Sequence, residues 1–199
     1  ESFSVFVHEF GHALGLPDLY DESSRVGNTG RVDSNRFVGK WDIMSDARTL
    51  VGLCGWSRMK LGWMPNDKIQ VARRGSSTTV VLEPIHLATE AIKVVKIPVS
   101  RSEYYVEVRQ QAGVDIDLPD HGVLITYIDD KKNGNEGAVR VIDSNRDTRT
   151  LDDAPFDLRV GKRPGFSDKE NDVSIIITGK SGLSYMVFVG PVSEGEVLL

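Results

Sequence analysis

Apolar and polar positions along this chain follow two regimes, one with a helical period and one that alternates. Phe3, Phe6, Phe10, Ala13 and Leu14 recur at three- and four-residue steps. That stripe predicts an α-helix over residues 2–14 with one face on a core. Val5 and Val7 are poor helix formers, but the stripe outweighs them. Residues 21–40 are polar, carry Gly27, Gly30 and Gly39, and predict a long surface loop. Leu50, Leu53, Trp56, Met59 and Leu61 then fall mostly at helical spacing and predict a second helix over 52–61, stopped near Gly62 and Pro65. Trp56 and Trp63 are expected in the core.

From residue 66 the pattern changes to short β-branched runs: 78–84, 91–99, 103–110, 122–129, 138–143, 173–179 and 183–190. Several alternate apolar with polar, as half-buried antiparallel strands do. Asn133-Gly134 predicts a hairpin turn between two of them. Residues 144–170 are polar and irregular and interrupt the series. Short strands with turn signals predict a β-sandwich or jelly-roll-like module over 66–199, after a helical part over 1–65. The fold class expected is α+β.

Composition changes this picture little. A net charge of −5 and no basic patch beyond pairs such as Arg73-Arg74 argue against a nucleic-acid partner. No apolar run approaches the ~18 residues of a membrane span. Cys54 is the single cysteine, so no internal disulfide forms. Set among Leu53, Gly55 and Trp56, it reads as a small buried hydrophobe and not as a nucleophile.

The chemistry is concentrated in HEFGHALGLPDLYD, His8–Asp21. Residues four apart on a helix share one face, so His8 and His12 offer two imidazoles to one ion such as zinc. Glu9 lies about 100° further round, turned from ligation but within reach of a water beside the ion. Gly15 favours the left-handed backbone that ends a helix, and Pro17 reinforces the stop. The chain is then expected to turn back and bring a carboxylate as third ligand. Asp18 is the first choice, with Asp21 and Glu22 as alternatives. Three protein ligands and one open position make a catalytic zinc site.

With WDIMS at 41–45 and WSRMKLGW at 56–63, this stretch resembles the immune inhibitor A family of secreted, metzincin-like zinc metallopeptidases. The resemblance is strongest over residues 1–66 and weaker through EYYVEVRQ, GVLITYID and DAPF. It implies an active-site helix and a methionine turn, with Met44 as the apolar floor under the metal. It also implies an endopeptidase acting on protein or peptide substrates, with zinc as cofactor, Glu9 as general base, and secretion. In metzincins the third ligand is usually His; Asp departs from that pattern but agrees with this family. Such enzymes carry a twisted sheet before the active-site helix. Residues 1–65 are therefore expected to be the back part of a catalytic domain, with the substrate cleft only partly present.

Other groupings are less specific. Asp143, Asn145 and Asp147 alternate, with Asp152 and Asp153 close behind, which suits calcium. The spacing is not that of an EF-hand, and a solvated Asx-rich loop is the competing reading. Asp129, Asp130, Asn133 and Asn135 invite the same idea. His86 and His121 are expected at the surface or hydrogen-bonded. The functional alternative is a non-catalytic glycan- or protein-binding β-sandwich with a structural metal.

Overall fold

The computed structural model describes residues 2–25 and 32–198. The first helix, α1, spans Phe3–Ala13. It closes as its sequence directs: Gly15 takes a left-handed φ of 98°, and the Leu16 amide returns to the Gly11 carbonyl at 3.0 Å. The second helix, α2, is shorter than expected, Gly55–Lys60. A last turn, α3, is Val192–Gly195.

Nine strands follow α2. They are β1 (Ile69–Val71), β2 (Thr78–Leu82), β3 (Val94–Pro98), β4 (Glu103–Arg109), β5 (Gly122–Ile128), β6 (Val139–Val141), β7 (Gly165–Asp168), β8 (Val173–Ser181) and β9 (Ser184–Gly190). One sheet has the order β1-β3-β4-β5-β6 and the other β2-β9-β8-β7. All neighbours within the sheets are antiparallel except β1 with β3. The fold is α+β with a β-rich module, as its alternating runs predict.

Period-two alternation decides where the core sits. On β4, Tyr104, Val106 and Val108 pack into an apolar cluster shared with Leu82, Ile175, Tyr185 and Val187 of the second sheet. Tyr105, one residue out of phase, joins a different cluster with Leu19, Trp41, Met44, Trp56, Leu124 and Val139. The five-stranded sheet is thus buried on both faces. The second cluster runs across residue 65 and joins the α1–α2 region to the sheet.

Several expectations are corrected. The α1 stripe does not lie on a core: Phe3, Phe6 and Phe10 are 71%, 68% and 62% exposed. The buried positions of α1 are Ser4, His8 and Gly11. At about 100° per residue, the phenylalanines lie roughly opposite the histidines. Trp63 is also exposed, while Trp56 is buried. Residues 21–40 are not simply a surface loop, since Phe37 and Val38 are core residues; Gly27 and Gly30 lie outside the described residues. Asn133-Gly134 does lie in the connection between the antiparallel pair β5 and β6, but not as a two-residue turn. Asn133 caps a short 3-10 turn, Gly134–Glu136, by reciprocal bonds with Glu136. The irregular stretch 144–170 contains β7, and β1 lies in a segment without a β-branched run.

Candidate metal centre

α1 presents His8 and His12 on one face, and the chain after Gly15 folds back so that Asp18 meets both rings. His8 Nε2 is 3.1 Å and His12 Nε2 3.2 Å from the same oxygen, Asp18 Oδ1. The other ring nitrogens are committed: His8 Nδ1 donates to the Ile43 carbonyl at 2.9 Å, and His12 Nδ1 to the Leu16 carbonyl at 2.9 Å. With the Nδ1 protons so used, both Nε2 atoms of the neutral rings carry lone pairs. They face a carboxylate oxygen that is buried and has no hydrogen-bond partner. Three lone pairs converging in a buried place are unfavourable unless something positive joins them.

A proton is one such joiner. The Asp18 hydrogen bond, against burial, raises the His8 pKa above its ordinary value. Burial works to raise the Asp18 carboxyl, but the neighbouring His8, Tyr20 and His12 side chains outweigh it and hold the group below the usual range. A divalent ion is the other joiner. A tetrahedral ion with ligands at about 2.0–2.2 Å separates neighbouring donor atoms by about 3.3–3.6 Å, within a few tenths of the two His–Asp separations here. Two imidazoles and a carboxylate are a donor set that suits zinc, and the residues fit that ion. Among the described residues this is the one group of three His, Cys, Asp or Glu side chains at ligating separation.

The alternatives to Asp18 are occupied elsewhere. Asp21 accepts from the Ser23 amide at 3.0 Å and hydroxyl at 2.6 Å and pairs with Arg36. Glu22 accepts from Asn135 Nδ2 at 2.8 Å. Glu9 is exposed on the wall of a cleft of about 670 Å3 that also includes His8, Tyr20, Ser45, Asp46 and Arg48.

Met44 is fully buried and lies against α1 at Gly11, where an added Cβ would come 2.3 Å from its sulfur. The Met44 carbonyl accepts the Leu19 amide at 2.9 Å, which ties the Asp18 segment to this turn. Asp42 shapes the turn from within. Its Oδ1 accepts the Met44 amide at 2.8 Å, and its Oδ2 accepts the Cys54 amide and the Ser57 hydroxyl at 2.9 and 2.7 Å. Behind it, Arg109 donates to the Trp41 carbonyl at 2.7 Å and to Asp115 at 2.8 and 3.0 Å. Glu107 accepts the Gly55 amide at 2.6 Å. Arg109, Glu107 and Asp115 are all buried, so β4 reaches the turn through paired charges. Burial opposes the Arg109 cation, yet the two carboxylates hold its pKa above the ordinary value.

Sequence reading missed this brace, and it missed Tyr20. The Tyr20 ring stacks on His8 with centroids 6.4 Å apart and planes at 17°. Burial, with the nearby Asp18 charge, pushes its pKa up to about 12. Its place two residues after Asp18 was the available signal. His86 is neither at the surface nor hydrogen-bonded: its side chain is 7% exposed, 4.0 Å from Asp115, with Nδ1 unpartnered. His121 is half-buried beside Asp120, at 3.7 Å. Cys54 is buried and free, and burial raises its thiol pKa well above the ordinary value.

The other acidic grouping looks different. The Asn145 amide donates to Asp143 Oδ1 at 2.9 Å, and the Asp147 amide to Asn145 Oδ1 at 3.3 Å. Asp153 accepts from Asn145 Nδ2 at 2.7 Å and from Thr148 at 2.9 Å. These are Asx-type turns that hold the loop by its own bonds.

Comparison with known families returns one finding. Residues 1–61 match the family model described as immune inhibitor A peptidase M6, catalytic domain. No curated protein matches the chain. The match covers the helix, the Asp18 segment, the methionine turn and α2, and supports a peptidase at the level of the family. No helix among the described residues is long and apolar enough to cross a membrane.

Proposed function

We propose that the chain carries the metal centre of a zinc-dependent endopeptidase acting on protein or peptide substrates. The single observation that carries the reading is the convergence of two imidazole lone pairs on the unpartnered Asp18 Oδ1. The family match over residues 1–61 points the same way.

His8, His12 and Asp18 would hold the ion, with their outer partners already in place: the Ile43 and Leu16 carbonyls fix both tautomers. A zinc ion there supplies Lewis acidity, polarising the scissile carbonyl and lowering the pKa of water at its open position. Glu9 has the place of the general base. It stands on the cleft beside His8 and, one residue along the helix, points away from the ligand face. It takes a proton from the attacking water and returns it to the leaving amine. Met44 backs the helix and supplies no polar atom to the reaction. Secretion belongs to the same proposal through the family resemblance.

Glu9→Gln tests the reading. It keeps size and hydrogen bonding but removes the base. Zinc stoichiometry should stay at that of the unaltered chain, while peptide hydrolysis falls by about 10²- to 10⁴-fold. Hydrolysis at the unaltered rate in that variant would remove the proteolytic assignment. A chelator that leaves turnover intact would remove it equally.

A further inference from the structure

The segment that carries Asp18 is touched from two sides, by the methionine turn and by the β-rich module. On the first side the Leu19 amide is held by the Met44 carbonyl at 2.9 Å. On the second stands the connection between β5 and β6. Gly134 is buried there, and the place of its missing side chain is taken by the Asp18 segment. A Cβ at this position would lie 2.2 Å from the Asp18 carbonyl oxygen and 2.7 Å from Pro17 Cγ. Even a close carbon–oxygen contact needs about 3.3 Å. Only glycine lets the two backbones come this near. The next residue adds a bond, since Asn135 Nδ2 donates to Glu22 Oε2 at 2.8 Å. The connection is itself stiff. Asn133 and Glu136 bond reciprocally, the Ala138 amide donates to the Asn133 carbonyl at 3.1 Å, and the Asp129 amide to the Ala138 carbonyl at 2.8 Å.

We propose that Gly134 is a positioning residue for the third metal ligand: the β5–β6 turn backs the main chain of Asp18 and, with the methionine turn opposite, fixes where its carboxylate meets His8 and His12. This rests on the metal-centre reading above. Ligand geometry has to be held within about 0.5 Å, and a side chain at residue 134 would displace the Asp18 main chain or the turn by about 1 Å. The β-rich module is therefore part of the frame of the metal centre, although it lies outside the residues 1–61 that match the family model. Gly134 touches no reacting atom; it acts through Asp18.

Gly134→Ala is compared with Gly165→Ala. In the second variant the new Cβ would lie 2.4 Å from the Ile175 carbonyl oxygen, a clash of the same kind inside the β7–β8 pair, away from the triad. Zinc affinity is measured by competition with a chromophoric chelator, the visible spectrum is recorded after cobalt(II) substitution, and the metal-free proteins are melted. Both variants should melt below the unaltered chain. Gly134→Ala alone should lose zinc affinity by about tenfold or more, as for loss of an outer partner, and change the position and intensity of the cobalt bands. Affinity and spectrum that stay at the unaltered values in Gly134→Ala, or that change equally in Gly165→Ala, would overturn the role and leave Gly134 as packing. Should Gly134→Ala fail to fold, Asn135→Ala decides, because it removes only the bond to Glu22. Zinc affinity lower by about two- to tenfold then supports the hold of the turn on the segment, and an unchanged affinity overturns it. Absence of any metal uptake by the unaltered chain would instead strike the metal-centre reading itself, so the two failures are distinguishable.

Discussion

The His8–His12–Asp18 group and the Asp143–Asp153 loop are both collections of metal-ligating residue types, and they differ in one respect. In the loop Asp143 Oδ1, Asn145 Oδ1 and both Asp153 oxygens already have donors, from backbone amides, Asn145 Nδ2 and the Thr148 hydroxyl, and the one orphaned oxygen, Asp152 Oδ1, belongs to a carboxylate that pairs with Lys40 through its other oxygen. At the triad the donors are spent on the far side of each ring, and three lone pairs meet with nothing between them. Counting acidic residues ranks the loop higher; asking where an unsatisfied lone pair meets other ligating atoms reverses the order. Buried polar groups are nearly always paired, so an orphaned oxygen faced by two imidazole nitrogens carries more information than a crowd of satisfied acceptors.

The largest effect expected from this contrast is on metal binding. Asp18→Asn should weaken zinc binding by more than about a hundredfold, beyond the range for loss of an outer partner. Asp153→Asn should leave it unchanged. Isothermal titration on both variants reads the difference, and equal losses would erase the contrast. The pH dependence follows next. Because Asp18 raises the His8 pKa, protons compete for the site from above the ordinary imidazole value of about 6.5 downwards. Below the raised value, zinc affinity should fall about tenfold per pH unit for each proton displaced. The metal-free protein behaves in the opposite sense. His8 contributes stability that is fully present below its unfolded pKa and is lost as pH rises through the folded one. Melting curves with and without zinc between pH 5 and 8 should therefore separate further as pH rises; parallel curves would place no proton at the triad.

The triad was legible in the sequence because helix periodicity is a strict rule, and four residues along α1 fix two rings on one face. What covers each face was not legible. A stripe of Phe3, Phe6 and Phe10 predicts burial, yet the covered side carries Ser4, His8 and Gly11, because the methionine turn packs there. In EYYVEVRQ the alternation correctly gave a strand, but it said nothing of where the charges Glu107 and Arg109 lie. They are buried, because Asp115, the Gly55 amide and the Trp41 carbonyl complete their bonds. These partners lie far apart in sequence, and no local pattern pairs them. β7 was missed for a simpler reason: Gly165–Asp168 has one large apolar residue and no alternation to read.

Gly11→Ala probes the rigidity behind the triad. The new methyl would sit 2.3 Å from Met44 Sδ, and Met44 is fully buried, so either α1 or the turn must move. Overpacking of this kind costs about 1–3 kcal/mol. A thermal melt of the metal-free variant should show that loss, and zinc affinity should drop with it as His8 shifts from the Ile43 carbonyl. An unchanged melt would mean that the helix and the turn are as loosely coupled as an exposed loop.

The smallest effect belongs to the loop. Burial raises the Asp143 pKa, and the Asn145 amide only partly offsets it. A carboxyl whose folded pKa is raised costs stability once pH rises through that value, because the folded state must then hold a charge that it disfavours. Asp143→Asn keeps an oxygen for the Asn145 amide and removes that charge. At neutral pH it should be neutral or slightly stabilising, within about 0.5–1 kcal/mol. Were the loop a calcium site, the same substitution would remove a ligand, and added calcium would raise the melting temperature of the unaltered chain but not of the variant. Satisfied acceptors predict the first pattern: calcium shifts neither melt, and the Asn variant melts at or slightly above the unaltered chain.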